Sequence, residues 1–242
     1  MNTPSQPSAA DIRPMTAPQA RLKPGSRAMS ARTRRAVWGL GAFLSVGVAL
    51  FSYRYLPELG HRPPNILGNT FAKPWLKVHV AGAATALLLG PFNFVSAIRR
   101  RTPSVHRWVG RIYLLGCFVG SAGGLVIAFG SFAGPIATVG FVSLAVSWIV
   151  ANVQGWRSAV DGRFADHREW MIRSFAMTFG AVLLRVYLPL SQLLHIPFID
   201  AYRAIAFLAW VPNLVVAEIY LRRTRGRGHA PRKAPTIVPA AP

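Results

Sequence analysis

Six apolar stretches, each long enough to cross a bilayer, are separated by segments whose positive charge alternates between heavy and light. A hydrocarbon core about 30 Å thick needs roughly 20 helical residues. Lipid offers no hydrogen-bond partners, so each stretch must satisfy its own backbone, and a helix is the single-segment way to do so. The six runs are residues 36–56, 75–98, 108–131, 135–156, 170–194 and 201–221. The expected fold class is all-α, a polytopic membrane bundle of six transmembrane helices. Only the fifth run carries an arginine, Arg185, deep within it.

Charge placement sets the expected orientation. Of 28 Lys and Arg, 22 fall on one side, five on the other, and Arg185 lies inside a run. The heavy side takes seven from the N-terminal arm, then Arg99, Arg100, Arg101, Arg107 and Arg111 after the second run. Arg157, Arg163, Arg168 and Arg173 follow the fourth run, and the C-terminal tail adds six. The light side has Arg54, Arg62, Lys73, Lys77 and Arg203. Basic flanks stay in the cytoplasm, so the N and C termini are both expected there. Trp38, Trp108, Trp156, Trp170 and Tyr220 at one boundary, and Tyr53, Tyr55, Trp75 and Tyr202 at the other, agree with interfacial belts.

The net charge of +21 invites a nucleic-acid reading. Its distribution opposes it, because the basic residues sit at the ends of apolar runs and not on one polar face. With 52% hydrophobic and 14% charged residues the chain is too apolar for an ordinary soluble domain. The single cysteine, Cys117, excludes an internal disulfide and a cysteine-based metal site. Residues 1–35 read as a disordered basic arm, 36–221 as the transmembrane domain and 222–242 as a disordered basic tail. Arg34-Arg35 before an apolar run has the look of a twin-arginine export signal. No small-x-small cleavage site follows Leu50, so it reads as the flank of an uncleaved first helix.

Local signals bear on packing. Gly116, Gly120 and Gly124 repeat at four-residue spacing and let a neighbouring backbone come close, which points to a central third helix. Gly90-Pro91 and Pro212-Asn213 predict kinks in the second and sixth helices, with carbonyls that need new partners.

Two short segments resemble each other. One reads His106-Arg107-Trp108-Val109-Gly110-Arg111 and the other His167-Arg168-Glu169-Trp170-Met171-Ile172-Arg173. Each follows a basic link and opens a helix, so His106 and His167 are expected on the same side, facing one another. A facing imidazole pair is what axial ligation of haem b needs, and Arg107, Arg111, Arg168 and Arg173 suit its propionates. The competing reading is structural: both histidines cap helix ends or bind lipid phosphate at headgroup level.

His79 lies one turn inside the second run and needs a partner or a ligand. With His195 it forms a candidate second, outer haem site, although the repeat places Gly140 and not a histidine at the matching position. His61 and His229 fall in polar segments and are given no role. Arg185 is either an anion site or a donor to carbonyls freed by Pro189 or a kinked neighbour. Glu218 is expected to pair with Arg111, Arg168 or Arg173. Zinc lacks the ligand cluster it wants. No nucleophile–base set, phosphate loop or nucleotide motif is present, which argues against a hydrolase or kinase and leaves at most a redox role.

Lys77-Val78-His79, Leu89-Gly90-Pro91-Phe92, the two histidine segments with Ser174, Arg185-Val186-Tyr187-Leu188-Pro189 and residues 210–218 together resemble a bacterial family of predicted membrane proteins, domain of unknown function 2306. The resemblance covers most of 75–222. It implies a multi-pass protein of the cell inner membrane with unassigned activity. The layout is also similar to that of transmembrane cytochromes b, but the histidine spacing departs from their four-histidine pattern. Three functions stay open. The first is a haem protein with a quinone or membrane redox partner. The second is a transporter or small-molecule binder using Arg185 and His79. The third is a non-catalytic partner protein that binds anionic lipid or another subunit.

Overall fold

The computed structural model describes residues 30–57 and 72–228. Most of the expected N-terminal arm, the segment holding His61 and the end of the tail with His229 lie outside the described residues. Nine helices and no strand occur among the described residues. They are α1 (Ala31–Tyr53), α2 (Ala72–Asn93), α3 (Ser96–Arg101), α4 (Pro103–Phe129), α5 (Pro135–Val160), α6 (Phe164–Thr178), α7 (Gly180–Leu193), α8 (Phe198–Leu208) and α9 (Val211–Gly228). Six segments are long and apolar enough to cross a membrane: α1, α2, α4, α5, the pair α6–α7 and the pair α8–α9.

The chain divides into an N-terminal unit, Met1–Val37, and a main unit, Trp38–Pro242. In the first, Ser30 opens α1 by accepting the Thr33 backbone N–H at 3.0 Å. Within the second, α2 and α4 make the closest pair, and α4 packs against α2, α3 and α5. Backbones touch directly there. A Cβ added at Gly116 would lie 2.8 Å from the Gly82 carbonyl oxygen, and one at Gly120 would lie 2.8 Å from the Ala83 nitrogen. The seam continues through Gly123, where an added Cβ would lie 2.7 Å from the His79 nitrogen; Gly124 faces the His79 ring instead. α1 is the least buried span. It joins the bundle through Ala49, which packs with Ala84, Leu87 and Val182, and through Tyr53, whose hydroxyl lies 2.8 Å from that of Thr85.

Three breaks matter for function. α2 ends two residues past Pro91, with Asn93 Nδ2 donating to the Leu89 carbonyl at 3.3 Å. The sixth span breaks at Ala209–Trp210, just before Pro212. Proline has no N–H and its ring crowds the carbonyl one turn back, so the helix restarts around it. Side chains replace the missing donors: Trp210 Nε1 donates to the Ala206 carbonyl at 2.9 Å and Asn213 Nδ2 to that of Ala209 at 3.1 Å. The fifth span also breaks, at Phe179, without any proline. The next residue, Gly180, abuts the other break: an added Cβ would lie 3.0 Å from the Ala209 carbonyl oxygen. The two discontinuities are in contact.

Candidate functional site

The residues singled out from the sequence fall into two groups at opposite ends of the bundle. At the basic end, His106 and His167 occupy equivalent places. Each is the fourth residue of its helix, and each backbone N–H takes the carbonyl of the residue before the helix, Thr102 at 3.1 Å and Arg163 at 2.9 Å. His167 Nδ1 lies 2.8 Å from the Gly155 carbonyl oxygen. A carbonyl only accepts, so Nδ1 carries a proton, and in the neutral tautomer this bond selects, Nε2 holds the lone pair. His106 Nδ1 is buried without a partner, and so is Asn93 Oδ1, which lies against Gly110. His106 lies within electrostatic reach of Arg99 and of His167.

The arginines of this end are differently employed. Arg173 donates to both oxygens of Glu218, at 2.5 and 3.2 Å, and lies 3.8 Å from Glu169. Arg225 pairs with Glu169, so two carboxylates and two arginines tie α6 to α9. Arg168 donates to the Tyr220 hydroxyl at 3.0 Å. Arg111 stacks over its own Trp108, 5.2 Å from the ring centre, and Arg107 is exposed.

The other group surrounds a cavity of about 770 Å³ in the charge-poor half of the bundle. Tyr55 enters from the end of α1, His79 from α2, Trp148 from α5, Arg185 and Gln192 from α7, and Tyr202 from α8. Both helix breaks contribute, through Thr178, Gly180 and Ala209. Irregular backbone at membrane depth persists where it is packed in protein or lines a cavity. His79 Nδ1 lies 2.8 Å from the Gly120 carbonyl oxygen, which fixes the proton on Nδ1 and leaves Nε2 as an acceptor. Arg185 donates to the Ala181 carbonyl at 3.1 Å and to the Ser52 hydroxyl at 2.7 Å. It lies within electrostatic reach of His79. The structure thus brings His79 and Arg185 to one cavity. His195 is exposed, follows α7 in a left-handed conformation (φ 55°), and is not among the residues lining the cavity.

The family model for predicted membrane proteins of DUF2306 matches residues 76–221. The chain belongs to this family. It is a multi-pass membrane protein, as the family description and the six spans agree. No curated protein and no solved structure matches the chain. DUF2306 carries no activity in its description.

Sequence reasoning missed several of them. Trp148, Tyr202 and Gln192 line the cavity but sit among ordinary apolar or boundary residues. It also missed a buried hydrogen-bond chain from Tyr113 through Ser174 to Asn152. Asn152, a polar amide within an apolar run, was the readable sign of it.

Proposed function

We propose that this protein binds a membrane-soluble small molecule in the cavity between its spans, with His79 and Arg185 as the polar contacts. The observation that carries this reading is the cavity itself: about 770 Å³, reached by both residues and bordered by both helix breaks. That volume falls within the ~300–1,000 Å³ usual for small-molecule sites. Broken helices around a mid-bundle cavity are a recurring arrangement in transporters, where they free backbone groups and allow rocking. The reading includes the orientation argued from charge, with both termini cytoplasmic in a cell inner membrane and anionic lipid against the basic face.

The test is extraction. The protein is purified in detergent, extracted with organic solvent and compared by mass spectrometry with Leu144→Trp, which fills the cavity, and with Arg185→Gln. A molecule retained by the parent and lost from both variants is expected. Identical extracts from all three overturn the proposal.

A haem site at the basic end is the second reading. It is favoured by the unpartnered His106 Nδ1 and by the tautomer of His167, because a carbonyl-bound Nδ1 is how ligating imidazoles are commonly oriented. The arginines argue against it. Arg173 is committed to Glu218, and Arg168 to Tyr220, which removes two of the four groups suited to propionates. A Soret band abolished by His106→Ala or His167→Ala would establish haem binding; the quinone or other membrane redox partner of this reading then needs its own test by haem reduction with a quinol. A purified protein without such a band excludes it.

A further inference from the structure

The cavity holds a cation that no carboxylate neutralises among the described residues. Five carboxylates are described, and each is engaged elsewhere. Asp161 and Asp166 hold Arg163, Asp200 holds Arg203, and Glu169 and Glu218 share Arg173 and Arg225. Arg185 instead donates to two neutral oxygens, the Ala181 carbonyl and the Ser52 hydroxyl. A guanidinium has five N–H donors, so three are left beyond those two bonds. Besides burial, the groups that act on it are the Tyr55 phenol and then Arg54, which has the same sign. Arg54 lies over Phe51, 3.8 Å from the ring centre, and Phe51 lines the cavity. Two arginines therefore make this part of the bundle electropositive.

Most of the remaining wall is apolar, with Ser121, Ser131, Thr178 and Gln192 as polar exceptions. Val80, Phe141 and Leu144 contribute to it from α2 and α5. A planar guanidinium fork matches carboxylate and phosphate oxygens, and it does so best where water is scarce. A free inorganic anion satisfies the fork but leaves most of the about 770 Å³ unfilled. A neutral lipid fills the space but leaves the charge unanswered.

We infer that the ligand is an anionic amphiphile: an acid headgroup, carboxylate or phosphate, on Arg185, with its hydrocarbon body along Val80, Phe141 and Leu144. This inference rests on the reading of the cavity as a binding site. His79 lies within electrostatic reach of Arg185, and its Nε2 can accept a hydrogen bond from the hydroxyl of a singly ionised phosphate, which a carboxylate does not offer.

The experiment uses the full chain in nanodiscs of neutral phosphatidylcholine. Binding of tritiated palmitate is measured by scintillation proximity, with hexadecyl phosphate, hexadecanol, acetate and inorganic phosphate as competitors. Hexadecyl phosphate is expected to displace palmitate at similar concentration. Hexadecanol should be weaker by about tenfold or more, the size of a lost charge-assisted hydrogen bond. Acetate and inorganic phosphate should not compete. Arg185→Gln should weaken palmitate by a similar factor, with part of the affinity restored in Arg185→Lys. Should these variants fail to fold, the competition on the unsubstituted protein still decides. Hexadecanol matching hexadecyl phosphate would overturn the acid headgroup while leaving a cavity that binds small molecules. Displacement by acetate or inorganic phosphate would overturn the amphiphile. No saturable palmitate binding overturns the inference outright, and the extraction experiment then judges the cavity separately.

Discussion

Ser174 sits at a junction of the buried polar groups. Its hydroxyl donates to Asn152 Oδ1 at 2.9 Å and accepts from the Tyr113 hydroxyl at 2.8 Å, joining α4, α5 and α6. Asn152 Nδ2 in turn donates to the Trp148 carbonyl at 2.7 Å. Tyr113 has a second neighbour, Thr178 Oγ1, at 3.1 Å, whereas Asn152 Oδ1 has Ser174 alone. Ser174→Ala should therefore cost more than Tyr113→Phe. Interhelical bonds of this kind average about 0.6 kcal/mol in membranes, so Tyr113→Phe should lower thermal stability only slightly. Ser174→Ala strands a buried amide oxygen and should cost about 1–3 kcal/mol. Thermal unfolding in detergent ranks the two, and the reverse order would refute the chain as drawn. Arg185 was legible in the sequence because a charge inside an apolar run is conspicuous. Ser174 and Thr178 were not, because small hydroxyl residues are common within membrane helices and their partners lie far away in the chain.

Among the elements, α2 and α4 meet through backbone and not through side chains. At Gly120 an added Cβ would meet main-chain atoms of Ala83, which cannot swing aside. Gly120→Ala should push the two helices apart and cost about 1–3 kcal/mol, as overpacking does. At Gly47 nothing lies within 4 Å of an added Cβ, so Gly47→Ala serves as the neutral control in the same unfolding assay. Equal losses at the two positions would rule out the seam as the cause. The four-residue glycine spacing announced such a seam, but the turn beyond it shifts to Gly123, and its opposite wall at Gly82 was not read. Pro212 announced its break as well. The break at Phe179 has no proline to mark it, and what accompanies it is the close approach of Gly180 to Ala209 on another span. A cavity bordered by two such breaks is a tertiary property, and periodicity along one helix does not contain it.

At the scale of the whole molecule, the number of spans followed directly from run length, because lipid leaves the backbone no alternative. Orientation is testable with few changes. Cys117 is buried, and replacing it gives a background without thiols. Ser104 is exposed in the basic link and Asp200 is exposed at the charge-poor end. In intact cells, an impermeant maleimide should label Asp200→Cys but not Ser104→Cys, and permeabilisation should make both react. The opposite pattern would invert the bundle and put the cavity on the cytoplasmic side. One property of the glycine seam reaches further than packing. A helix turns by about 100° per residue. One inserted residue in α2 between His79 and Gly82 would rotate the imidazole away from its carbonyl while the glycines below stayed in register. The first half of α2 is therefore indexed like a gear against α4, and length variation among kindred chains should collect in the connecting loops and spare this helix.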